Sequence, residues 1–181
     1  MSESAVVLAV LGPLGLANLV LVVGLLHRLR RHDALMQTMI DGVTNPRSTM
    51  LEAGEEVRAF AAATVTGAPV GSTDLRGRTL VAFLSPTCPA CIDSLPLFTA
   101  RAQLTPGGPA QVLAVVVGHD EETAELRERL EPVARVVVEQ PSGPVAAAFG
   151  VVGFPAFAVL DEHTVAASDF ALERLPETAA A

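Results

Sequence analysis

Uncharged runs alternate with charged, turn-rich stretches along this chain, and the lengths of the runs sort into two kinds. The first, Ala5 to Leu26 (AVVLAVLGPLGLANLVLVVGLL), holds 22 residues without a charge. As a helix it spans roughly 33 Å at about 1.5 Å per residue, close to the ~30 Å hydrocarbon core of a bilayer. A cleaved signal peptide would carry basic residues ahead of a shorter apolar stretch. Here HRLRRH (27–32) follows the run instead. The pattern predicts an N-terminal membrane anchor over 1–31 with one transmembrane helix at about 5–26, in which Gly12, Pro13 and Asn18 are tolerated interruptions. A polar tether over 32–51 follows, carrying the turn-rich DGVTNPRS.

The later apolar runs are short, and they alternate with helical patterns. VRAFAAATV (57–65) reads as a first strand or a short helix, and GSTDLRGR as a turn-forming connection. TLVAFLS (79–85) is short, uncharged and rich in β-branched and aromatic residues, as a buried strand is. A helix is predicted from Cys88 or Pro89 to Leu104, with Cys91, Leu95, Phe98 and Ala102 recurring at helical spacing. Pro89 suits its first turn, and Pro96 lies inside it as an expected kink. QVLAVVVG predicts a second buried strand and DEETAELRERLEP an exposed charged helix. Asp120 is the expected cap of that helix, and acids fill its first turn. ARVVVE predicts a third strand, SGPVAAAFGV a small helix or turn, AFAVLDEHTVAAS a hairpin around Asp161–His163, and FALERLPETAAA a short terminal helix. Residues 52–181 thus form one α/β domain, with parallel strands joined by crossover helices ahead of an antiparallel pair. That order matches a thioredoxin-like fold: a central mixed sheet flanked by helices.

Charge narrows the partners. The net charge is −8 and the chain has no Lys, so every basic side chain is Arg or His. No basic cluster marks the predicted domain, and Trp and Tyr are absent. Nucleic acid is therefore not an expected partner.

The candidate chemistry sits in Ser85-Pro86-Thr87-Cys88-Pro89-Ala90-Cys91, which holds both cysteines of the chain. A thiol attacks only as the thiolate. At a strand-to-helix junction, unpaired amides and the positive end of the helix dipole face Cys88 and favour the anion. Cys91 lies one turn further in. The pair can therefore act in sequence: Cys88 attacks a client disulfide, then Cys91 attacks Cys88 and releases the client. The competing readings are a structural disulfide, which would close too small a loop to stabilise much, and a zinc site, which needs about four ligands. A peroxidatic cysteine also competes, but Val81 stands where its motif needs proline. No metal or other cofactor is expected. Downstream, Pro155 stands just ahead of the apolar AFAVL. In thioredoxin-like folds a cis-proline here faces the redox pair, and the preceding residue, Phe154, offers backbone groups that can pair with an extended client. Phe154 and Phe157 flank Pro155. Core packing is the default for both, and Phe154 is the candidate to shape a client groove.

LRGRTLVAFLSPTCPACIDSLPLF, then AAAFGVVGFPAFAVLDEHTV, resembles the membrane-anchored thiol–disulfide oxidoreductases of the TlpA/ResA type. FLSPTCPAC behind a membrane helix is most similar to their MauD branch, the methylamine-utilisation accessory proteins. The resemblance implies a redox pair at Cys88 and Cys91, a cis-Pro155, and Pro96 as the proline that kinks the active-site helix. It implies client proteins with cysteines or a disulfide, a separate redox partner, and a single-pass membrane protein with its redox domain outside the cytoplasm, where disulfides persist. The basic residues after the helix pull the orientation the other way, as a bias rather than a law. The chain also departs from its relatives. Thr87 replaces a frequent Trp, Ala82 replaces the buried Asp of thioredoxins, and Ser94 replaces a frequent Glu, so no evident acid serves Cys91. Two other functions compete: a redox-inactive binding module of the same fold, and a thiol peroxidase.

Overall fold

The computed structural model describes residues 50–177. The anchor at 1–31 and most of the tether lie outside the described residues, among which no helix is long and apolar enough to cross a membrane.

A small antiparallel hairpin, β1 (Ala61–Ala63) and β2 (Pro69–Gly71), precedes the main sheet. The main sheet contains β3 (Arg78–Leu84), β4 (Val112–Val117), β5 (Arg135–Glu139), β6 (Ala156–Asp161) and β7 (Thr164–Asp169). Their spatial order is β5-β4-β3-β6-β7. β3, β4 and β5 run parallel, whereas β6 lies antiparallel to β3 and β7 antiparallel to β6. The crossover helices are α1 (Pro89–Leu104), α2 (Asp120–Leu130) and α3 (Pro144–Ala148). This is the thioredoxin-like arrangement expected from the pattern, a mixed sheet between helices. The uncertain 57–65 segment resolves as strand only at 61–63.

Both faces of the sheet are covered, which explains why its strands read as unbroken apolar runs. Side chains alternate across β3. Leu80, Ala82 and Leu84 pack with Cys91, Leu95, Phe98 and Ala102 of α1 and Leu126 and Leu130 of α2. Val81 and Phe83 face the other way, onto Phe149, Val145 and Met50. The four α1 positions singled out by helical spacing are the ones that become buried.

Glu139 ends β5 inside the protein. Its carboxylate accepts from the amides of Val145 (3.0 Å) and Ala146 (2.7 Å), tying β5 to α3. Burial pushes its pKa up, and the two amide hydrogen bonds pull the other way without overcoming that. A Cβ at Gly143 would stand 2.5 Å from this carboxyl group, so the carboxylate occupies space that only glycine leaves free.

Two sequence expectations need correction. His119, not Asp120, is the N-cap of α2, because the His119 carbonyl already accepts from Glu122 and Thr123. His119 and His163 are both exposed. The expected terminal helix is a single 3-10 turn, Leu172–Arg174. Pro176 disfavours the α conformation at Leu175, which is extended (φ −75°, ψ 142°). That segment is held instead by Arg101 of α1, whose guanidinium donates to the carbonyls of Leu172, Leu175 and Pro176.

Candidate functional site

The site forms where β3 gives way to α1. Leu84 is the last residue of β3, and a turn follows in which the Cys88 amide donates to the Ser85 carbonyl (3.2 Å). Cys88 is the N-cap of α1, in extended conformation (φ −99°, ψ 110°). Pro89 takes the first helical position, where a missing N–H costs no hydrogen bond. The Cys91 amide donates to the Cys88 sulfur at 3.3 Å as well as to the Cys88 carbonyl at 3.0 Å. Cys88 thus takes the part that Ser, Thr or Asp usually plays at a helix start.

The two thiols are free and differ sharply in exposure: Cys88 is half-buried and Cys91 fully buried. Burial is the largest force on Cys91, and the hydrogen bond between the two cysteine side chains adds to it. Together they push the Cys91 thiol up to about 12. The Ser85 amide donates to the Cys91 sulfur at 3.4 Å and works the other way. Ala82 occupies the same apolar cluster as Cys91, and Ser94 spends its hydroxyl on the Cys91 carbonyl. Among the described residues the sulfur therefore lies in an apolar cluster, and no carboxylate acts on it.

The opposite wall comes from the segment ahead of β6. The Phe154–Pro155 peptide bond is cis, as anticipated. The Phe154 carbonyl accepts from the Cys88 thiol at 3.6 Å, so this loop meets the first cysteine at the end of the sheet where β3 and β6 pair. The two phenylalanines around Pro155 separate cleanly. Phe157 has no exposed surface and stacks on Phe98 with ring centroids 6.1 Å apart, whereas Phe154 is 37 % exposed. Val152, two residues earlier, is also exposed.

Every residue assigned to the site from sequence is therefore gathered in one place: Cys88, Cys91, Phe154 and Pro155. Two neighbours escaped that reading. Ser85 touches both cysteines through its backbone, and its hydroxyl shares a hydrogen bond with that of Thr87 at 3.2 Å. Their signal was visible only as two hydroxyl residues just ahead of Cys88. Among the described residues, no group of three or more His, Cys, Asp or Glu side chains converges.

A buried dithiol partner behind a half-exposed cysteine, at the start of a helix on a mixed sheet, defines a thioredoxin-like oxidoreductase. The family model for Redoxin matches residues 52–177, and the chain belongs to that family. No curated protein is matched by the sequence. Among solved structures, the thioredoxin domain of a thiol–disulfide oxidoreductase from Bacteroides vulgatus is similar. It is 19 % identical, with 65 % of this chain and 88 % of that one covered and a TM-score of 0.52. A thiol:disulfide interchange protein from Bacteroides sp. is also 19 % identical, with 71 % and 84 % covered and a TM-score of 0.53. At these identities the likeness is one of fold.

Proposed function

We propose that this protein is a membrane-tethered thiol–disulfide oxidoreductase that exchanges disulfides with client proteins through Cys88-Pro89-Ala90-Cys91. One observation carries the reading: the half-exposed Cys88 sulfur receives the Cys91 amide at the start of α1 while Cys91 waits, buried, behind it.

In this reading Cys88 attacks one sulfur of a client disulfide. The amide aimed at its sulfur is placed to donate to the attacking thiolate. A Cys88–client mixed disulfide results, and one client sulfur leaves as thiolate. Cys91 then attacks Cys88, forming the Cys88–Cys91 disulfide and releasing the second client sulfur. The client gains two electrons and the cysteine pair loses two. A separate redox partner restores the dithiol, and the same steps in reverse oxidise a client. Phe154 and Pro155 form the client wall. The Phe154 carbonyl, now facing the Cys88 thiol, suits an extended client whose amide pairs with it as in strand addition.

The tether and its location belong to the same proposal. The uncharged run at 5–26 supports a single membrane span, with the bilayer as a further partner. The resemblance to the MauD branch supports an extracytoplasmic redox domain. A membrane-impermeant thiol reagent added to intact cells labels reduced Cys88 if the domain lies outside, and leaves it unmodified if it lies inside.

The activity is tested by trapping. Cys91→Ser mixed with a disulfide-containing protein should accumulate a mixed disulfide on Cys88, identified by peptide mass. Absence of that adduct, with the variant folded, would refute Cys88 as the attacker.

A further inference from the structure

The reading above leaves one step without a residue to perform it. Cys91 must lose a proton to attack, and its thiol is buried in an apolar cluster. Cys91 shares its apolar cluster with Ala82 and Leu84 of β3, Val116 of β4, Phe157 of β6 and Leu95 of α1, none of them titratable. Asp93, two residues along α1, is exposed, and the titratable group that acts on Cys91 is Cys88 itself. In the mixed disulfide Cys88 is bonded to the client and carries no acid–base function.

We infer that the hydroxyls of Ser85 and Thr87 form the proton exit of Cys91. Three observations place them. The Ser85 amide lies 3.4 Å from the Cys91 sulfur, and the Ser85 hydroxyl is three covalent bonds from that amide, so the inferred path needs one bridging water between hydroxyl and sulfur. Ser85 is nearly sealed, at 8 % exposed, while Thr87 stands in solvent. Their hydroxyl oxygens are 3.2 Å apart, and either can donate to the other. A hydroxyl both accepts and donates, so two in series carry a proton outward without either becoming charged for long. The same turn bonds its Ser85 carbonyl to the Cys88 amide, so the relay is fixed to the element that presents both sulfurs.

The step balances as follows. The Cys91 proton passes through the bridging water to the Ser85 oxygen as the Ser85 proton passes to Thr87 and the Thr87 proton to bulk water. The Cys91 thiolate attacks the Cys88 sulfur. The Cys88–client bond breaks, the Cys88–Cys91 bond forms, and the electron pair departs on the client sulfur, which is protonated from solvent.

This inference rests on the proposed exchange activity, and the test separates the two. Cys88 in the full-length protein is loaded with a small aromatic disulfide whose released thiol absorbs, and each release step is followed by stopped flow from pH 6 to 10. Ser85→Ala and Thr87→Val keep the backbone amide that bonds Cys91. Each should slow the second release about 100-fold near pH 7, the lower end of what a lost acid–base group costs. The deficit should shrink as pH rises and as imidazole buffer, a diffusible base, is added, and Ser85→Thr should restore the parent profile. A second release within about twofold of the parent, or one slowed equally at every pH without response to imidazole, overturns the relay. Failure of the parent to show a first release overturns the exchange activity instead.

Discussion

The Phe154 carbonyl oxygen lies 3.6 Å from the Cys88 sulfur, although 66 positions separate the two residues in the chain. The contact arises because β6, which follows Phe154, pairs with β3, which precedes Cys88, in the register Phe83↔Ala156 and Ala82↔Phe157. Two segments far apart in sequence therefore make one surface, with the Cys88 sulfur on one side and the backbone acceptor it bonds on the other.

The two cysteines should differ in reactivity far more than their spacing suggests. Iodoacetamide at pH 8, added to the reduced folded protein, should alkylate Cys88 and leave Cys91 untouched, since the Cys91 thiol is pushed up to about 12 and has no exposed surface. Peptide mass mapping reads the ratio directly. Equal labelling before unfolding would contradict the burial of Cys91.

The same shift makes the stability of the reduced protein depend on pH. The Cys91 pKa is raised above its ordinary 9.0, so ionisation is harder in the folded state than in the unfolded one. The associated stability is complete below about pH 9 and is lost as pH rises toward 12. Thermal melts of the reduced protein across that range should fall more steeply than those of Cys91→Ala. Parallel curves would remove this linkage.

Phe154 and Phe157 should respond oppositely to truncation. Phe157→Ala empties a buried site stacked on Phe98 and should cost about 3–5 kcal/mol by denaturant titration. Phe154→Ala should stay within about 0.5 kcal/mol of the parent, as surface changes usually do. It should instead raise KM for a protein client, leaving exchange with a small disulfide nearly unaltered. Unchanged KM for protein clients would exclude Phe154 from the client wall.

Glu139 should be required for the seating of α3. Gly143→Ala forces a methyl group against the Glu139 carboxyl and should cost about 1–3 kcal/mol. Glu139→Gln turns an NH₂ donor toward a backbone amide and should cost a similar amount, about 1–3 kcal/mol. Because burial raises the Glu139 pKa, its favourable contribution is full below the ordinary value of 4.5 and is lost as pH rises from there through the shifted one. The stability gap between parent and Glu139→Gln should therefore narrow between pH 4 and 8. A gap that widens instead would show the amide hydrogen bonds outweighing burial.

Local pattern and covalent chemistry were sufficient for much of this protein. Short uncharged runs can be satisfied only as strands covered on both faces, and the spacing of Cys91, Leu95, Phe98 and Ala102 permits only a helix with that buried stripe. A cysteine just before Pro89, at the end of an apolar strand, marks a helix start whose amides turn toward sulfur. The sequence pattern was a poorer guide where single residues compete for one role, as His119 and Asp120 do at the start of α2. It also overran at the C-terminal end, where among the described residues the expected helix is one turn ahead of Pro176.

What the linear chain could not contain is which distant groups come to share a few ångströms. The strand order β5-β4-β3-β6-β7 brings the Phe154 carbonyl to Cys88, stacks Phe157 on Phe98 while leaving Phe154 in solvent, and turns the Glu139 carboxylate onto α3. The turn after β3 sets the Ser85 amide against the buried Cys91 sulfur. Hydrophobic patterning is local and can be read one residue at a time. Proton affinity and exposure depend on what surrounds a group on every side, and only strand pairing and helix packing decide those surroundings.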